Sequence, residues 1–253
     1  MPLASHLDPA IALHDVGLRY RLYQERVSTL KEAVINYFHG RTHYTDLWAL
    51  RGVSLSVASG EVVGVIGRNG SGKSTLLKVL SGILRPTEGR CIVNGKVTAM
   101  IELGAGFSPE LTGRENLYLN GALFGFSRAE MTERYERIVT FAELDDFMDT
   151  PIKNYSSGMY ARLGFAIAME VDPDILLVDE ILAVGDEAFQ QKCFKRFDDL
   201  RHRSKAIVLV SHDLGAIEHF CDRAYLLNQG RIVAAGPPAE TIEAYRSLLA
   251  EAV

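Results

Sequence analysis

Three short stretches of the chain are almost unbroken aliphatic residues: "EVVGVIG" (61–67), "DILLVDE" (174–180) and "AIVLVSH" (206–212). Apolar runs of this length without polar alternation suit strands buried on both faces of a parallel sheet that is covered by helices. Near either end of this series, "CIVNGKV" (91–97) and "AYLLNQGRIVAAG" (224–236) set Asn-Gly and Gln-Gly between strand-like runs, which predicts hairpins and an antiparallel edge. Between about 105 and 170 the period changes to that of helices. Ser127 and Glu130 form a capping box ahead of "MTERYERIVTFAEL", and a second helix follows "NYSSG", so the pattern predicts a helical insertion. A further helical stripe lies in "STLKEAVINYFHG" (28–40): Thr29 and Glu32 make a capping box, Leu30, Ala33, Val34, Tyr37 and Phe38 share one face, and Gly40 can end the helix. The predicted fold is α/β with a mainly parallel sheet, an antiparallel β edge subdomain and an inserted helical subdomain, with an amphipathic helix at about 29–39 inside an inserted segment at 21–47.

Composition narrows this picture. At 253 residues, with 47% apolar and 23% charged content, the chain fits a single domain over 1–253 with a sizeable core, and it contains no internal repeat. A formal net charge of −5 gives no general attraction for nucleic acid or an anionic membrane surface. The three cysteines, Cys91, Cys193 and Cys221, are far apart and form no C-x-x-C, which argues against a disulfide framework or a zinc site and for reducing cytosol. No apolar run approaches the roughly 18 residues that a membrane span needs, so any link to a membrane is expected through a partner.

Chemistry enters at "IGRNGSGKSTLL" (66–77). Gly67, Gly72, Lys73 and Ser74 satisfy G-x-x-x-x-G-K-[ST], with a buried strand before and a helical pattern after. Glycines allow backbone N–H groups to turn onto phosphate oxygens, and the helix start adds its positive dipole end. Lys73 then reaches the β- and γ-phosphates, Ser74 ligates Mg²⁺, and Asn69, Gly70, Ser71 and Thr75 complete the lining. Asp179 and Glu180 end an aliphatic strand, where open α/β sheets place their ligands. Asp179 suits the Mg²⁺ shell, and Glu180 suits a position beside the γ-phosphate from which it polarises the attacking water. His212 ends the next such strand and can hydrogen-bond the γ-phosphate and Glu180.

With "GRNGSGKST", "NYSSGMYARL", "DILLVDE", "AVGD" and "VLVSHDL" in this order, the chain resembles the nucleotide-binding subunit of an ABC transporter over nearly its full length. "YSSGM" (155–159) looks like a variant of the family signature, with Ser157 and Met159 in place of the usual glycine and glutamine. The resemblance implies ATP and Mg²⁺ as ligands, and two chains meeting head to tail so that Ser156, Ser157 and Gly158 of one close on the phosphate held by the other. It also implies that Asp186 belongs to a loop crossing the dimer interface, and that Tyr20, with Tyr23 as competitor, stacks on adenine. Where the family has a glutamine contacting Mg²⁺ and water, this chain offers Glu102.

"ELGAGFSPELTGRENLYLNG", "ILAVGDEAFQQKC" and the stretch between Tyr20 and Trp48 are similar to the ATPases that export lipid-linked bacterial polysaccharides: O-antigen, capsule and teichoic acid. That similarity implies a transmembrane permease contacting residues near 100–125, a lipid-linked glycan as cargo, a peripheral position on the cytoplasmic face of the membrane, and a gate-like role for the 29–39 helix. Some members of the group carry a C-terminal carbohydrate-binding domain, and this sequence ends at "AYRSLLAEAV" without one. Export of another lipid or a drug is the alternative reading. A soluble ABC-type ATPase acting on nucleic acid or ribosomes is a second, less suited to a chain without coiled-coil insertions or a second ATPase unit. A small-molecule kinase or GTPase would lack the serine ahead of Asp179 and the histidine strand after it.

Overall fold

The computed structural model describes residues 9–23, 44–100, 104, 106–179, 186–203 and 205–250. The predicted 29–39 helix, Glu102 and Glu180 therefore lie outside the described residues. Two sheets carry the fold. A six-stranded sheet has the order β5-β6-β7-β3-β8-β9, with β3 (Val62–Ile66), β5 (Val97–Met100), β6 (Ile175–Asp179), β7 (Ala206–Val210) and β8 (Arg223–Asn228) parallel, and β9 (Arg231–Gly236) antiparallel at the edge. A separate antiparallel sheet has the order β2-β1-β4, from β1 (Ile11–Tyr23), β2 (Tyr44–Val57) and β4 (Glu88–Val93).

The aliphatic runs become central strands because both of their faces are covered. Along β3, Val63 and Val65 enter one apolar core and Val62 and Ile66 another. β6 divides in the same way, as does β7. The first core fills the space between the two sheets together with α1 (Lys73–Leu80). The second is roofed by α5 (Glu187–His202), α6 (Leu214–Phe220) and α7 (Pro238–Ala250), whose Phe189, Phe197, Phe220 and Ile242 are almost fully buried.

Three helices fill most of the segment between β5 and β6: α2 (Gly113–Leu123), α3 (Arg128–Ala142) and α4 (Ser157–Met169), around a third core that includes Leu117, Met131, Ile138 and Leu163. The Ser127–Glu130 capping box is present at the start of α3. A second box, Thr112 with Glu115, starts α2 and was equally legible in the sequence.

The two hairpin signals part company. Gln229 and Gly230 have φ of 47° and 75° and join β8 to β9 as the Gln-Gly pattern predicts. Asn94-Gly95 does not make a hairpin: β4 pairs with β1, whereas β5 crosses to the other sheet and runs parallel to β6. Asn94 instead spends its amide on the Pro9 carbonyl, and Asp174 accepts from Lys96 N–H to seat the start of β5. Of the segment 21–47, residues 21–23 and 44–47 extend the β1–β2 ribbon. Among the described residues, no helix is long and apolar enough to cross a membrane.

Candidate functional site

The loop after β3 is shaped by contacts in which a side chain has no room. A Cβ on Gly67 would sit 2.1 Å from the Leu227 carbonyl oxygen, and one on Gly72, at φ 110°, would sit 2.6 Å from that of Ala49. Both obstructions are backbone, so only glycine fits. The loop is also pinned from outside. Gly230 N–H donates to the Ser71 carbonyl at 2.8 Å, and Arg51 N–H donates to the Gly230 carbonyl at 2.7 Å, which ties the β8–β9 turn and β2 to the loop.

The helix that follows is left open at its start. α1 begins after Gly72 with no side-chain cap and no acidic residue in its first turn, so its N–H groups and dipole face the loop. Lys73 is 7% exposed and donates from Nζ to the carbonyls of Gly67 (2.7 Å) and Arg68 (3.2 Å). The Ser71 hydroxyl is buried without a hydrogen-bond partner. An uncapped helix start, a buried ammonium and an unsatisfied hydroxyl fit an anion.

Beside them lies a cleft of about 970 Å³, lined by Asn69, Gly70, Gly72, Lys73, Ser74, Thr75 and Asp179 from the predicted set. The remaining wall comes from Leu47, Trp48, Ala49 and Arg51 of β2 and from the β8–β9 turn. Ser74 and Asp179 are thus brought to one cleft, as a Mg²⁺ site requires. Among the described residues no three His, Cys, Asp or Glu side chains gather into a metal site, and a magnesium that shares phosphate oxygens does not need them.

Other candidates stand elsewhere. His212 follows β7 and lines an adjoining recess of about 540 Å³ with Gly67, Arg68, Asn69, Tyr245 and Leu249. Tyr20 pairs with Leu47 across β1–β2 and is 38% exposed, but the cleft wall at this level is Leu47 and Trp48. Trp48, the chain's single tryptophan, stacks under the Arg19 guanidinium at 5.5 Å. Sequence reading missed Trp48, Arg51 and Arg231 as cleft residues, because β2 and the β8–β9 turn reach the loop only through tertiary contacts.

Ser156, Ser157 and Gly158 occupy a separate recess of about 420 Å³ with Met159, Arg162 and Asp186, and share no lining residue with the phosphate-loop cleft. Here the helix start is capped from within, since the Ser156 hydroxyl accepts from Met159 N–H at 3.1 Å. Among the described residues, a Cβ on Gly158 would meet nothing nearer than that hydroxyl at 3.8 Å. The start of α1 and the start of α4 therefore line different recesses.

The sequence model of the ABC transporter family matches residues 50–183, a span that holds the phosphate loop, the Ser156 turn and Asp179. The chain belongs to the ABC transporter family. Within it, this is the ATP-hydrolysing subunit. It is 45% identical to the O-antigen export system ATP-binding protein RfbB of Myxococcus xanthus, over 95% of this chain and 56% of that protein, so it spans little more than half of that relative's length. Against the RfbB of Klebsiella pneumoniae the identity is 43%, over 96% of this chain and all of that protein. The teichoic acids export ATP-binding protein TagH of Lactiplantibacillus plantarum is 42% identical over 93% of this chain and 64% of its own length. In fold, the chain is similar to a dimeric ATP-binding cassette solved in a post-hydrolysis state with ADP and phosphate, with a TM-score of 0.72 at 24% identity, covering 90% of this chain and 98% of that one.

Proposed function

We propose that this ABC subunit binds and hydrolyses ATP to power export of a lipid-linked polysaccharide, of the O-antigen, capsule or teichoic acid kind, through a separate transmembrane subunit. One observation carries the mechanical half of this reading: the two phosphate-suited helix starts open into separate clefts. A single copy cannot bring both to one phosphate, whereas two copies arranged head to tail can. The open space around Gly158 supports this, because nothing among the described residues requires a glycine there, and a ligand approaching from another copy would.

In that arrangement Lys73 leaves its loop carbonyls for the β- and γ-phosphates, and the first-turn N–H groups of α1 hold their oxygens. Mg²⁺, held by Ser74 and Asp179, supplies charge neutralisation on the phosphate oxygens. Glu180 orients and polarises the attacking water, and His212 hydrogen-bonds the γ-phosphate from the adjoining strand end. Glu102 supplies a further oxygen from the segment after β5. Leu47 and Trp48 form an apolar wall for the base, with Tyr20 across the ribbon as the stacking candidate. Replacing Glu180 with Gln removes the water-polarising carboxylate and is expected to keep ATP binding while trapping the closed pair of copies.

The cargo is supported by the relatives, named as ATP-binding proteins of O-antigen and teichoic acid export. The permease contact in this reading lies near 100–125, and the exposure of Leu119 (38%) and Leu123 (65%) on α2 supports it, as an apolar pair suited to a helix of the membrane partner at the cytoplasmic face. The experiment is reconstitution of the chain with its co-purified membrane subunit in vesicles. Stimulation of ATP turnover by a lipid-linked glycan, and by neither the bare carrier lipid nor DNA, is the expected result. Equal stimulation by an unrelated lipid or drug favours another export cargo, and stimulation by DNA or ribosomes without the membrane subunit overturns the transport reading. Deleting 28–40 is expected to abolish export while sparing basal ATP turnover.

A further inference from the structure

The seam between the inserted helices and the sheet's own helical layer is aromatic inside and charged at its rim. Phe141 of α3, Phe165 of α4 and Phe189 of α5 form a triangle with ring centroids 5.5–6.1 Å apart. At its edge the Arg162 guanidinium, on α4, lies 5.0 Å from the Phe189 ring and bonds two carboxylates, Glu143 Oε2 at 3.0 Å and Asp186 Oδ2 at 2.6 Å. Lys192 of α5 pairs with the other oxygen of Glu143. The Arg162 side chain is only 17% exposed.

Local preferences do not explain this cluster. Glu143 is the C-cap of α3 with φ 57°, a left-handed conformation that favours glycine or asparagine, and its negative charge stands at the negative end of the helix dipole. Asp186 needs one oxygen to cap α5, accepting from Phe189 N–H at 2.9 Å, and gives the other to Arg162. A residue that breaks two helix-end rules yet meets a bridging arginine points to a role beyond its own helix. Arg162 and Asp186 also both line the recess of Ser156, Ser157 and Gly158.

We propose that Arg162 is a positioning residue: by joining the C-cap of α3 to the N-cap of α5 it fixes the Ser156–Gly158 turn relative to Asp186. The recess then has its working shape only when the inserted helices are seated on the sheet's helical layer. Movement of α3 and α4, whatever drives it, is converted at this arginine into loss or gain of a receptive surface for a second copy. This rests on the two-copy reading above.

The test uses Arg162→Met, which keeps an apolar stem over Phe189, Arg162→Lys, and Asp186→Asn, which retains a capping side chain without the charge. Nucleotide affinity of the dilute protein is read with a fluorescent ATP analogue. Turnover is read as kcat, KM and the protein concentration giving half-maximal specific activity. Arg162→Met is expected to bind nucleotide within about twofold of wild type, yet to lose at least tenfold in kcat or need at least tenfold more protein. Arg162→Lys is expected to recover only part, because an ammonium lacks the planar fork that spans two carboxylates. The Arg162→Met/Asp186→Asn double variant is expected to be no worse than the poorer single one, as for two residues acting through one contact. Wild-type kcat and concentration dependence in Arg162→Met, or losses that multiply in the double variant, overturn the proposal. Should Arg162→Met fail to fold, the exposed Glu143→Gln replaces it, with a partial loss of the same kind expected and no loss overturning the proposal. Ser156→Arg separates the two levels. If it turns over ATP normally, the two-copy reading falls and this inference with it; if it is dead while Arg162→Met is normal, only the inference falls.

Discussion

The starts of α1 and α4 are both helix N-termini that lie in stretches rich in serine and glycine, and they are built in opposite ways. At α1 the chain supplies the constraint: Gly67 and Gly72 are forced by carbonyls 2.1 and 2.6 Å from any Cβ, the helix is uncapped, and a buried lysine waits on loop carbonyls. At α4 the turn satisfies itself through the Ser156 hydroxyl, and Gly158 has space around it. The first has its shape imposed by tertiary packing. The second satisfies its own cap and is not shaped by close contacts at Gly158 among the described residues.

The sharpest way to break this contrast is Lys73→Ala. Removing the ammonium from the phosphate site is expected to lower ATP turnover by 100-fold or more, about 3 kcal/mol of lost stabilisation, with nucleotide affinity falling as well, measured by steady-state kinetics and binding titration. Retained turnover would mean that the α1 start is not the site.

Next comes a paired glycine exchange. Gly67→Ala forces a Cβ into the Leu227 carbonyl and is expected to cost about 2 kcal/mol or more, lowering Tm by roughly 4–8 °C for a chain of this size. Gly158→Ala, in open space, is expected to leave Tm within about 1 °C and nucleotide affinity unchanged while turnover falls about tenfold. Calorimetry and turnover assays on both variants decide it. Equal losses of stability would erase the distinction.

The smallest expected effect concerns pH at the α4 side. Glu143 is held below its ordinary value by the hydrogen bond from Lys192, and Asp186 by the Phe189 N–H and then Arg162. Both carboxylates thus have a folded pKa below the unfolded one, so their contribution is present above the ordinary carboxylate values of about 4 and is lost as pH falls through the folded values. The Tm difference between wild type and Glu143→Gln is therefore expected to be constant from about pH 6 to 8 and to shrink toward zero as pH drops below about 4. A gap that widens in acid would contradict the assigned direction.

How well the sequence could be read follows the same division between local and long-range structure. The phosphate loop, the Ser127 capping box and the Gln229-Gly230 turn are each written within a few contiguous residues, and each takes the form its pattern predicts. Asn94-Gly95 carries an equally good local hairpin signal and fails, because β4 finds its partner in β1, some eighty residues earlier, and β5 finds β6 as far ahead. The nucleotide cleft shows the same limit. Its floor was legible, but Trp48, Arg51 and Arg231 reach it through pairing of β2 and the β8–β9 turn with the loop, which no short window contains. Arg162 was hidden for another reason: its partners Glu143 and Asp186 meet it across three helices.

The β1–β2 ribbon sets a distance. Its strands run 13 and 14 residues, so the longer spans about 45 Å at roughly 3.3 Å per residue. Leu47, Trp48, Ala49 and Arg51, three to seven residues into β2 from Tyr44, line the cleft beside the phosphate loop, and Gly230 ties Arg51 to that loop; Tyr23 and Tyr44 form the last pair of the ribbon. From the Arg51–Gly230 tether to that last pair is only seven residues, about 23 Å of strand, so the outer end of the ribbon and the cleft wall are parts of one short, hydrogen-bonded reach of backbone.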